Sequence, residues 1–151
     1  MKRTLTTSVG VFFLYNINFT TEDTEVTEVL INEISGVIID SAMNVHSELG
    51  PGLLESTYEA CLLHELKSRD LFVQNQLTLP VAYKNSQIAT GYRIDLSVEK
   101  TVIVELKAVE KLLPIHEAQL LTYLKLSHKK VGLLINFNTL RLKHGIKRIV
   151  N

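Results

Sequence analysis

Three ionisable side chains lie on two consecutive strand-like segments of the sequence. Asp95 is part of GYRIDLSV, and Glu105 and Lys107 are part of TVIVELKAV, a segment rich in Val, Ile and Leu. Because strand side chains alternate between faces, Glu105 and Lys107 share one face with Ile103, and the apolar residues between them form the other face. Burial of an unpartnered carboxylate or ammonium costs several kcal/mol. These charges therefore need a structural or a chemical explanation.

The length of the turn between these segments decides what Asp95 faces. A three-residue loop pairs Val98 with Val102 and sets Asp95 directly opposite Glu105, whereas a two-residue loop sets Asp95 opposite Val104. Facing carboxylates destabilise a sheet unless a cation lies between them. Two carboxylates, with positions left open for water and phosphate oxygens, are a common way to bind Mg²⁺. The metal-site hypothesis therefore predicts the three-residue loop.

The same charges also fit an ordinary sheet surface. A half-exposed antiparallel sheet shows this alternation, and cross-strand ion pairs that include Arg93 would contribute little stability. On the following helix, Gln119 and Tyr123 are four residues apart and so share one face, although this spacing is common by chance. If the metal-site hypothesis holds, Lys107, one pleat beyond Glu105, reaches the attacking water or the phosphate. The strand pair alone leaves both interpretations open.

The periodicity of apolar residues predicts the elements that position these side chains. Helical spacing, then alternation, then helical spacing again indicate two helices, three antiparallel strands, a third helix and a strand buried on both faces. The loosely alternating tail LRLKHGIKRIV is compatible with an edge strand. This order predicts an α/β sandwich in which the last buried strand runs parallel to a central one through a helical crossover. The predicted elements span residues 25–50, 54–68, 72–85, 87–98, 101–109, 114–128 and 130–137.

Length and composition favour one soluble domain in a reducing compartment. A chain of 151 residues can bury a single core, and 46% apolar with 21% charged residues is usual for a soluble protein. No apolar run is long enough to cross a bilayer. The single cysteine, Cys61, cannot form an internal disulfide, which favours the cytoplasm. The run VGVFFLYNIN is too short and polar for a secretion signal, so we expect an irregular extension over residues 1–24 and one domain over residues 25–151.

The order of the candidate residues resembles that of a known superfamily. Asp95, then ELK at residues 105–107, then QLLTY at residues 119–123 are similar to the D, ExK, QxxxY order of the PD-(D/E)XK nuclease superfamily, in its RecB-like branch. Ile94 precedes Asp95, so the Pro of the superfamily name is absent, as is common there. D and ExK alone are weak signals, whereas the ordered set is more specific.

Flanking segments narrow this resemblance. VHSELGPGLLESTYE and GLLINF resemble small bacterial proteins of the GxxExxY family, whose pattern here is Gly52, Glu55 and Tyr58. The similarity covers residues 25–150. It implies a restriction-endonuclease-like α/β core, with helices packed on a mixed sheet of four to five strands. It also implies divalent-metal-dependent hydrolysis of phosphodiester bonds in DNA, or in RNA.

The resemblance further implies roles for individual residues. Asp95 and Glu105 would bind Mg²⁺ or Mn²⁺, the Leu106 carbonyl would be a third ligand, and Glu55 would complete the site. An exposed Glu on a helix is otherwise ordinary. Lys107 would orient or help to deprotonate the attacking water. Gln119 and Tyr123 would position a backbone phosphate or brace the site.

Two other functions stay open. A non-catalytic protein of the same fold would bind nucleic acid or a protein partner, and a structural domain would keep the charges as surface ion pairs. Zinc-site, P-loop and serine-hydrolase functions are set aside, because the sequence has no Cys and His cluster, glycine-rich phosphate loop or G-x-S-x-G elbow. His46 and His116 are expected to have surface or capping roles, because neither has a partner at metal-binding spacing.

The charge distribution bears on nucleic acid as a partner. The total charge is zero, but residues 1–75 carry 4 basic and 11 acidic residues, whereas residues 76–151 carry 12 basic and 5 acidic ones. Carboxylates at the site repel DNA, so a basic surround is expected. The basic half offers candidates for it: Lys84, Lys111, Lys125, Lys129 and Lys130.

Overall fold

The computed structural model describes residues 3–7, 10–14 and 21–151, with side chains described from residue 24 onward. The first elements are strands β1 (Arg3–Thr7) and β2 (Gly10–Leu14), which pair antiparallel. This pairing corrects the expectation of an irregular chain, and both segments contain β-branched or aromatic residues that favour strands. The remainder of the expected extension before α1, residues 1–2, 8–9 and 15–20, lies outside the described residues. The domain limits stay a prediction.

Two helices follow along the chain. α1 (Thr21–Leu49) begins four residues before its predicted start, and α2 (Glu55–Ser68) begins one residue after its own. The helices pack against each other and against the sheet, as the helical spacing of their apolar residues predicts. The side chains that form the buried stripes are Ile34, Val37, Ile38 and Val45 on α1, and Tyr58, Leu62 and Leu66 on α2.

Tyr58 holds the loop that joins these helices. Gly50 and Gly52 have left-handed φ values of +67° and +101°, which glycine adopts without a steric penalty. The Tyr58 hydroxyl donates a hydrogen bond to the Gly50 carbonyl (2.6 Å) and accepts one from the Leu53 N–H (3.1 Å). The buried Tyr58 ring stacks on Phe137 at a centroid distance of 4.5 Å. Tyr58 thus fixes the chain at the point where α2 begins.

The chain after α2 contains seven strands, one α-helix and one short 3₁₀ helix. In chain order they are β3 (Val73–Thr78), β4 (Val81–Tyr83), β5 (Ser86–Ile88), β6 (Arg93–Val98), β7 (Val102–Lys107), α3 (Pro114–Ser127), β8 (Val131–Asn136), the 3₁₀ helix (Leu142–Gly145) and β9 (Ile146–Val150).

Five of these strands form one mixed sheet in the order β3-β6-β7-β8-β9. β6 pairs antiparallel with both β3 and β7, and β9 pairs antiparallel with β8. β7 and β8 run parallel, and α3 connects them, as parallel neighbours require a crossover. The α/β fold class, the crossover and the edge strand at the tail are therefore confirmed.

Two predicted strands are each divided in the structure. Residues 72–85 form β3 and β4, and residues 87–98 form β5 and β6, so that β4 and β5 pair as a separate hairpin. Pro80 separates β3 from β4, because it has no N–H to donate to a neighbouring strand. The Leu79 N–H donates to the Tyr92 carbonyl (2.9 Å), which closes the base of the hairpin. The order of antiparallel strands is confirmed, and the predicted strand lengths are wrong.

The sheet separates two hydrophobic clusters. α1 and α2 pack on one face, where Val104 and Leu106 of β7 are buried. α3 packs on the other face, where Ile103 is buried beside Leu120. The predicted alternation along β7 is therefore confirmed, and it directs the two charged residues of β7 towards α3.

Gly132 of β8 tests the fit between the sheet and α3. A Cβ at Gly132 would lie 2.8 Å from Cδ1 of Leu120, which is fully buried. Gly132→Ala is therefore expected to overpack this layer and to lower the free energy of unfolding by roughly 1–3 kcal/mol. The matched control is Gly36→Ala on α1, where a Cβ meets open space and helix propensity raises the free energy by roughly 0.5–1 kcal/mol. Equal stability of the two variants in urea unfolding would contradict this packing.

Candidate active site

The turn between β6 and β7 has the length that the metal-site hypothesis predicts. Val98 pairs with Val102 across a three-residue loop. The first two loop residues have left-handed φ values of +54° and +53°, as in the tight turns that suit twisted hairpins. Extended by one further pair, this register would set Asp95 opposite Glu105, but the β6–β7 pairing ends at Leu96 and Val104.

The ladder between β6 and β7 opens at Asp95. Regular pairing ends at Leu96 and Val104, and the Leu106 N–H donates instead to Oδ2 of Asp95 at 2.8 Å. Ile94 packs in the α3 cluster and Leu96 in the α1–α2 cluster, although strand residues two apart normally share a face. The alternation along β6 therefore breaks at Asp95, whose carboxylate reaches across to the backbone of β7.

Gln76 links Asp95 to α2. The pairs on either side of it set Gln76 opposite Asp95 in the β3–β6 register, and its left-handed φ of +51° is uncommon in a strand. The Gln76 amide donates to Oε2 of Glu59 (2.8 Å) and, at 3.5 Å, to Oδ1 of Asp95. Sequence reasoning missed Gln76 and Glu59. Only the position of Glu59, one helical turn after Glu55 on the same face of α2, could have indicated it.

Four of the predicted site residues form one hydrogen-bonded chain. Lys107 Nζ donates to Oε1 of Glu105 (3.3 Å) and to Oε1 of Gln119 (3.2 Å). The Gln119 amide nitrogen then donates to the Tyr123 hydroxyl at 2.8 Å. β7 supplies two of these residues and α3 supplies the other two, so the crossover that aligns β8 also delivers α3 to the charges on β7.

Burial raises the pKa of both carboxyl groups. Glu105 is 3% exposed, and desolvation followed by the charge of Asp95 raises its pKa from the usual 4.5 to about 7, against the opposing effect of Lys107. Desolvation also raises the pKa of Asp95 to about 6, and the charges of Glu59 and Glu55 add to it. Within the described chain, Oε2 of Glu105 is buried and accepts no hydrogen bond. A buried polar atom of this kind requires an explanation.

The oxygen atoms here fit a small divalent cation. Asp95 and Glu105 supply hard carboxylate oxygens, and the Leu106 carbonyl projects from the same edge of β7 as its N–H, towards Asp95. Mg²⁺ is often held by one or two carboxylates, with phosphate and water in its other positions. Glu55 is the exposed first residue of α2. Among the described residues, no three His, Cys, Asp or Glu side chains lie close enough together to hold a metal, so Glu55 is seen to act on the site only through its charge.

Asn136 is another residue that sequence reasoning missed. It is buried at the end of β8, paired with Lys107. Its Oδ1 accepts from the Val109 N–H (3.1 Å) and its Nδ2 donates to the Val109 carbonyl (2.9 Å). The Phe137 N–H also donates to the Lys107 carbonyl at 2.9 Å. These bonds fix the chain immediately after Lys107, and the sequence signal for them is a polar residue at the end of the apolar run KVGLLIN.

The histidines have the ordinary roles that the sequence suggests. His46 Nε2 shares a hydrogen bond with the Thr139 carbonyl at 2.8 Å. His116 Nδ1 accepts from the Leu113 N–H at 3.0 Å and so caps the start of α3. None of these hydrogen bonds connects either histidine to Lys107.

The basic residues are divided between the two ends of the sheet. β8 ends where Asn136 pairs with Lys107, so Lys129 and Lys130, which precede β8, lie roughly 15–20 Å away along the strand direction. They therefore lie too far from Lys107 to contact a phosphate at the site, and their part in a wider basic surround stays a prediction. Lys111 lies in the connection between β7 and α3, at the end of β7 that carries the site.

A comparison with protein families shows where the chain belongs. A family model described as the PD-(D/E)XK nuclease superfamily matches residues 32–149. The match includes α2, α3 and the five-stranded sheet, except for the last residue of β9. This protein therefore belongs to the PD-(D/E)XK nuclease superfamily. Membership indicates a nuclease-type function with nucleic acid as the partner. No curated protein and no solved structure matches the chain significantly.

None of the described helices has the length and hydropathy needed to cross a membrane.

The raised pKa of Glu105 makes the stability of the metal-free protein depend on pH. The carboxyl group is harder to ionise in the folded state, so its contribution to stability is present below about pH 4.5 and is lost as the pH rises through about 7. In EDTA, the free energy of unfolding of the wild type relative to Glu105→Gln is expected to fall across this window by up to roughly 3 kcal/mol. Parallel pH profiles for the two proteins in urea unfolding would contradict the assignment.

The bonds from Asn136 are expected to hold the connection after β7. Asn136→Ala leaves the Val109 backbone groups unsatisfied, so it should lower the free energy of unfolding by roughly 1–3 kcal/mol and speed amide hydrogen exchange at Val109. Asn138→Ala is the matched control, because the Asn138 side chain makes neither bond. Unchanged protection of Val109 in Asn136→Ala would show that the amide does not hold this connection.

Proposed function

We propose that this protein is a divalent-metal-dependent nuclease that hydrolyses phosphodiester bonds in DNA, or in RNA. The observation that carries the proposal is the pair of buried carboxylates, Asp95 and Glu105, with the ammonium group of Lys107 hydrogen-bonded beside them. Superfamily membership supports the reaction class. The free thiol of Cys61 is consistent with a cytoplasmic location, which belongs to the same proposal.

The cation is proposed to be Mg²⁺ or Mn²⁺. Asp95, Glu105 and the Leu106 carbonyl would hold it, and Glu55 would add negative charge nearby. When bound, such an ion supplies a Lewis acid for the phosphate and a water with a lowered pKa. The unpartnered Oε2 of Glu105 and the mutual repulsion of the two carboxylates favour occupancy, because a cation would relieve both.

Lys107 is proposed to orient the attacking water and to stabilise the charge that develops on the phosphate. A fixed ammonium group contributes most where charge builds up in the transition state. Glu105 and Gln119 each accept a hydrogen bond from Lys107, which restricts where its ammonium group points. The Tyr123 hydroxyl in turn accepts a hydrogen bond from the nitrogen of the same Gln119 amide. Gln119 and Tyr123 therefore serve to position Lys107, or to contact the phosphate themselves.

We also propose that the protein is a GxxExxY protein of the RecB-like branch. The geometry of the motif gives each letter a physical role. Gly52 allows the left-handed turn before α2, and Tyr58 ties that turn to the end of α1. Glu55 then begins α2 where its charge reaches Asp95. The spacing of the motif supports this finer assignment, because residues at these positions connect the loop before α2 to the candidate site.

A second candidate function is nucleic-acid binding without cleavage. The observation that favours it is the exposure of Glu55, since among the described residues no third acidic side chain closes around the carboxylate pair. A protein of this kind would keep the fold and the basic residues at the site but would not hydrolyse DNA.

Cleavage assays with matched variants separate these functions. Purified protein is incubated with linear, circular and single-stranded DNA, and with RNA, in Mg²⁺, in Mn²⁺ or in EDTA. The wild type is expected to cleave DNA only with the metal, and Asp95→Ala and Lys107→Ala are each expected to reduce the rate at least roughly a hundredfold. Lys129→Ala, at the other end of the sheet, is the control for loss of a lysine and should cleave as the wild type does.

The outcomes lead to different conclusions. Cleavage that persists in Asp95→Ala and Lys107→Ala points to a contaminating nuclease and removes the support for this site. A folded wild-type protein that binds DNA but never cleaves it favours the second candidate function. Thermal unfolding of each variant, measured alongside, shows whether a lost activity reflects a lost fold.

A further inference from the structure

A groove adjoins the candidate active site. Its volume is about 620 Å³, and it lies between α3 and the chain around Val81 and Tyr92. Gln119 and Tyr123 line this groove and also belong to the hydrogen-bonded chain of Lys107. A molecule in the groove would therefore be separated from Lys107 by one or two side chains.

The walls of the groove suit a flat, uncharged ring. Among the described residues, His116 lines it but no Lys, Arg, Asp or Glu does, so it offers a phosphate no permanent cation. Tyr92 is 52% exposed, and its ring lies 6.2 Å from that of Tyr123 at an angle of 60°. Ile115, also exposed, contributes an apolar wall, and Gln119 and Thr122 contribute the polar groups that could contact the edge of a ring. Apolar walls with few polar groups are usual for a site that binds an aromatic ligand.

We propose that this surface, here called the Tyr92 groove, binds an unstacked nucleobase adjacent to the scissile phosphate. The inference rests on the proposed function, because the site beside it would take the phosphate of the same nucleotide chain. A base in a duplex is paired and stacked, so it enters such a groove only from a single strand or after extrusion. The protein therefore prefers single-stranded nucleic acid to duplex. Because every base has an aromatic face, stacking on Tyr92 tolerates any sequence.

Binding measured without cleavage tests the groove. A short fluorescein-labelled DNA of mixed sequence, alone or annealed to its complement, is titrated with wild-type protein in EDTA and low salt, and anisotropy is recorded. The single strand is expected to bind more tightly than the duplex. Tyr92→Ala should weaken binding of the single strand roughly tenfold or more, the range that loss of one stacking ring implies. Tyr92→Phe keeps the ring and should keep the affinity.

The matched control is Tyr83→Ala. Tyr83 is 62% exposed on β4 and does not line the groove, so its removal should leave binding unchanged. A strand of the same length made only of abasic nucleotides should bind the wild type as weakly as the normal strand binds Tyr92→Ala, and Tyr92→Ala should not weaken its binding further.

The results distinguish failure of the groove from failure of the nuclease. Equal affinity of the wild type for single strand and duplex, or equal behaviour of Tyr92→Ala and Tyr83→Ala, overturns the nucleobase site even if DNA is cleaved. Binding of the single strand that depends on Tyr92 upholds the nucleobase site, and metal-dependent cleavage, scored separately, then decides the nuclease function.

Discussion

The carboxylates of Asp95, near the start of β6, and Glu105, near the end of β7, are buried close to each other, and the rest of the site must offset their repulsion. Desolvation raises the pKa of each group, and the charge of Asp95 raises that of Glu105 further. Lys107 and the Leu106 N–H each satisfy one carboxylate oxygen, which leaves Oε2 of Glu105 unsatisfied within the described chain. An arrangement that disfavours both charges in the free protein is one that a divalent cation would stabilise.

The fold holds this unfavourable pair by surrounding it with ordered backbone. The three-residue turn sets the register of β6 and β7, and the opening of their ladder leaves the Leu106 N–H for Asp95. The parallel crossover brings α3 against β7, where Gln119 meets Lys107. Asn136 then fixes the chain beyond Lys107. Ordinary packing rules account for each of these elements, and together the elements fix one ammonium group beside two carboxylates.

Sequence reasoning predicted the features that depend on hydrophobic periodicity and on the order of the elements along the chain. The order of helices, strands and crossover followed from hydrophobic spacing, and the metal-site hypothesis predicted the three-residue turn between β6 and β7. What it missed depends on bonds between distant segments. Gln76 joins α2 to Asp95 through a left-handed backbone that no local pattern signals. Asn136 reads as the end of an apolar strand, although its amide bonds Val109, which lies 27 residues away in the chain.

Calorimetric titration with Mn²⁺ is the most direct test of the claim that Asp95 and Glu105 form a cation site. At pH 8, where both carboxyls are ionised in most molecules, the wild type is expected to bind Mn²⁺, and Asp95→Asn and Glu105→Gln are each expected to lose that binding. Asp40→Asn, which removes an exposed acid paired with Arg69, should bind as the wild type does. Absence of binding to the wild type, or binding that survives both site substitutions, would contradict the account.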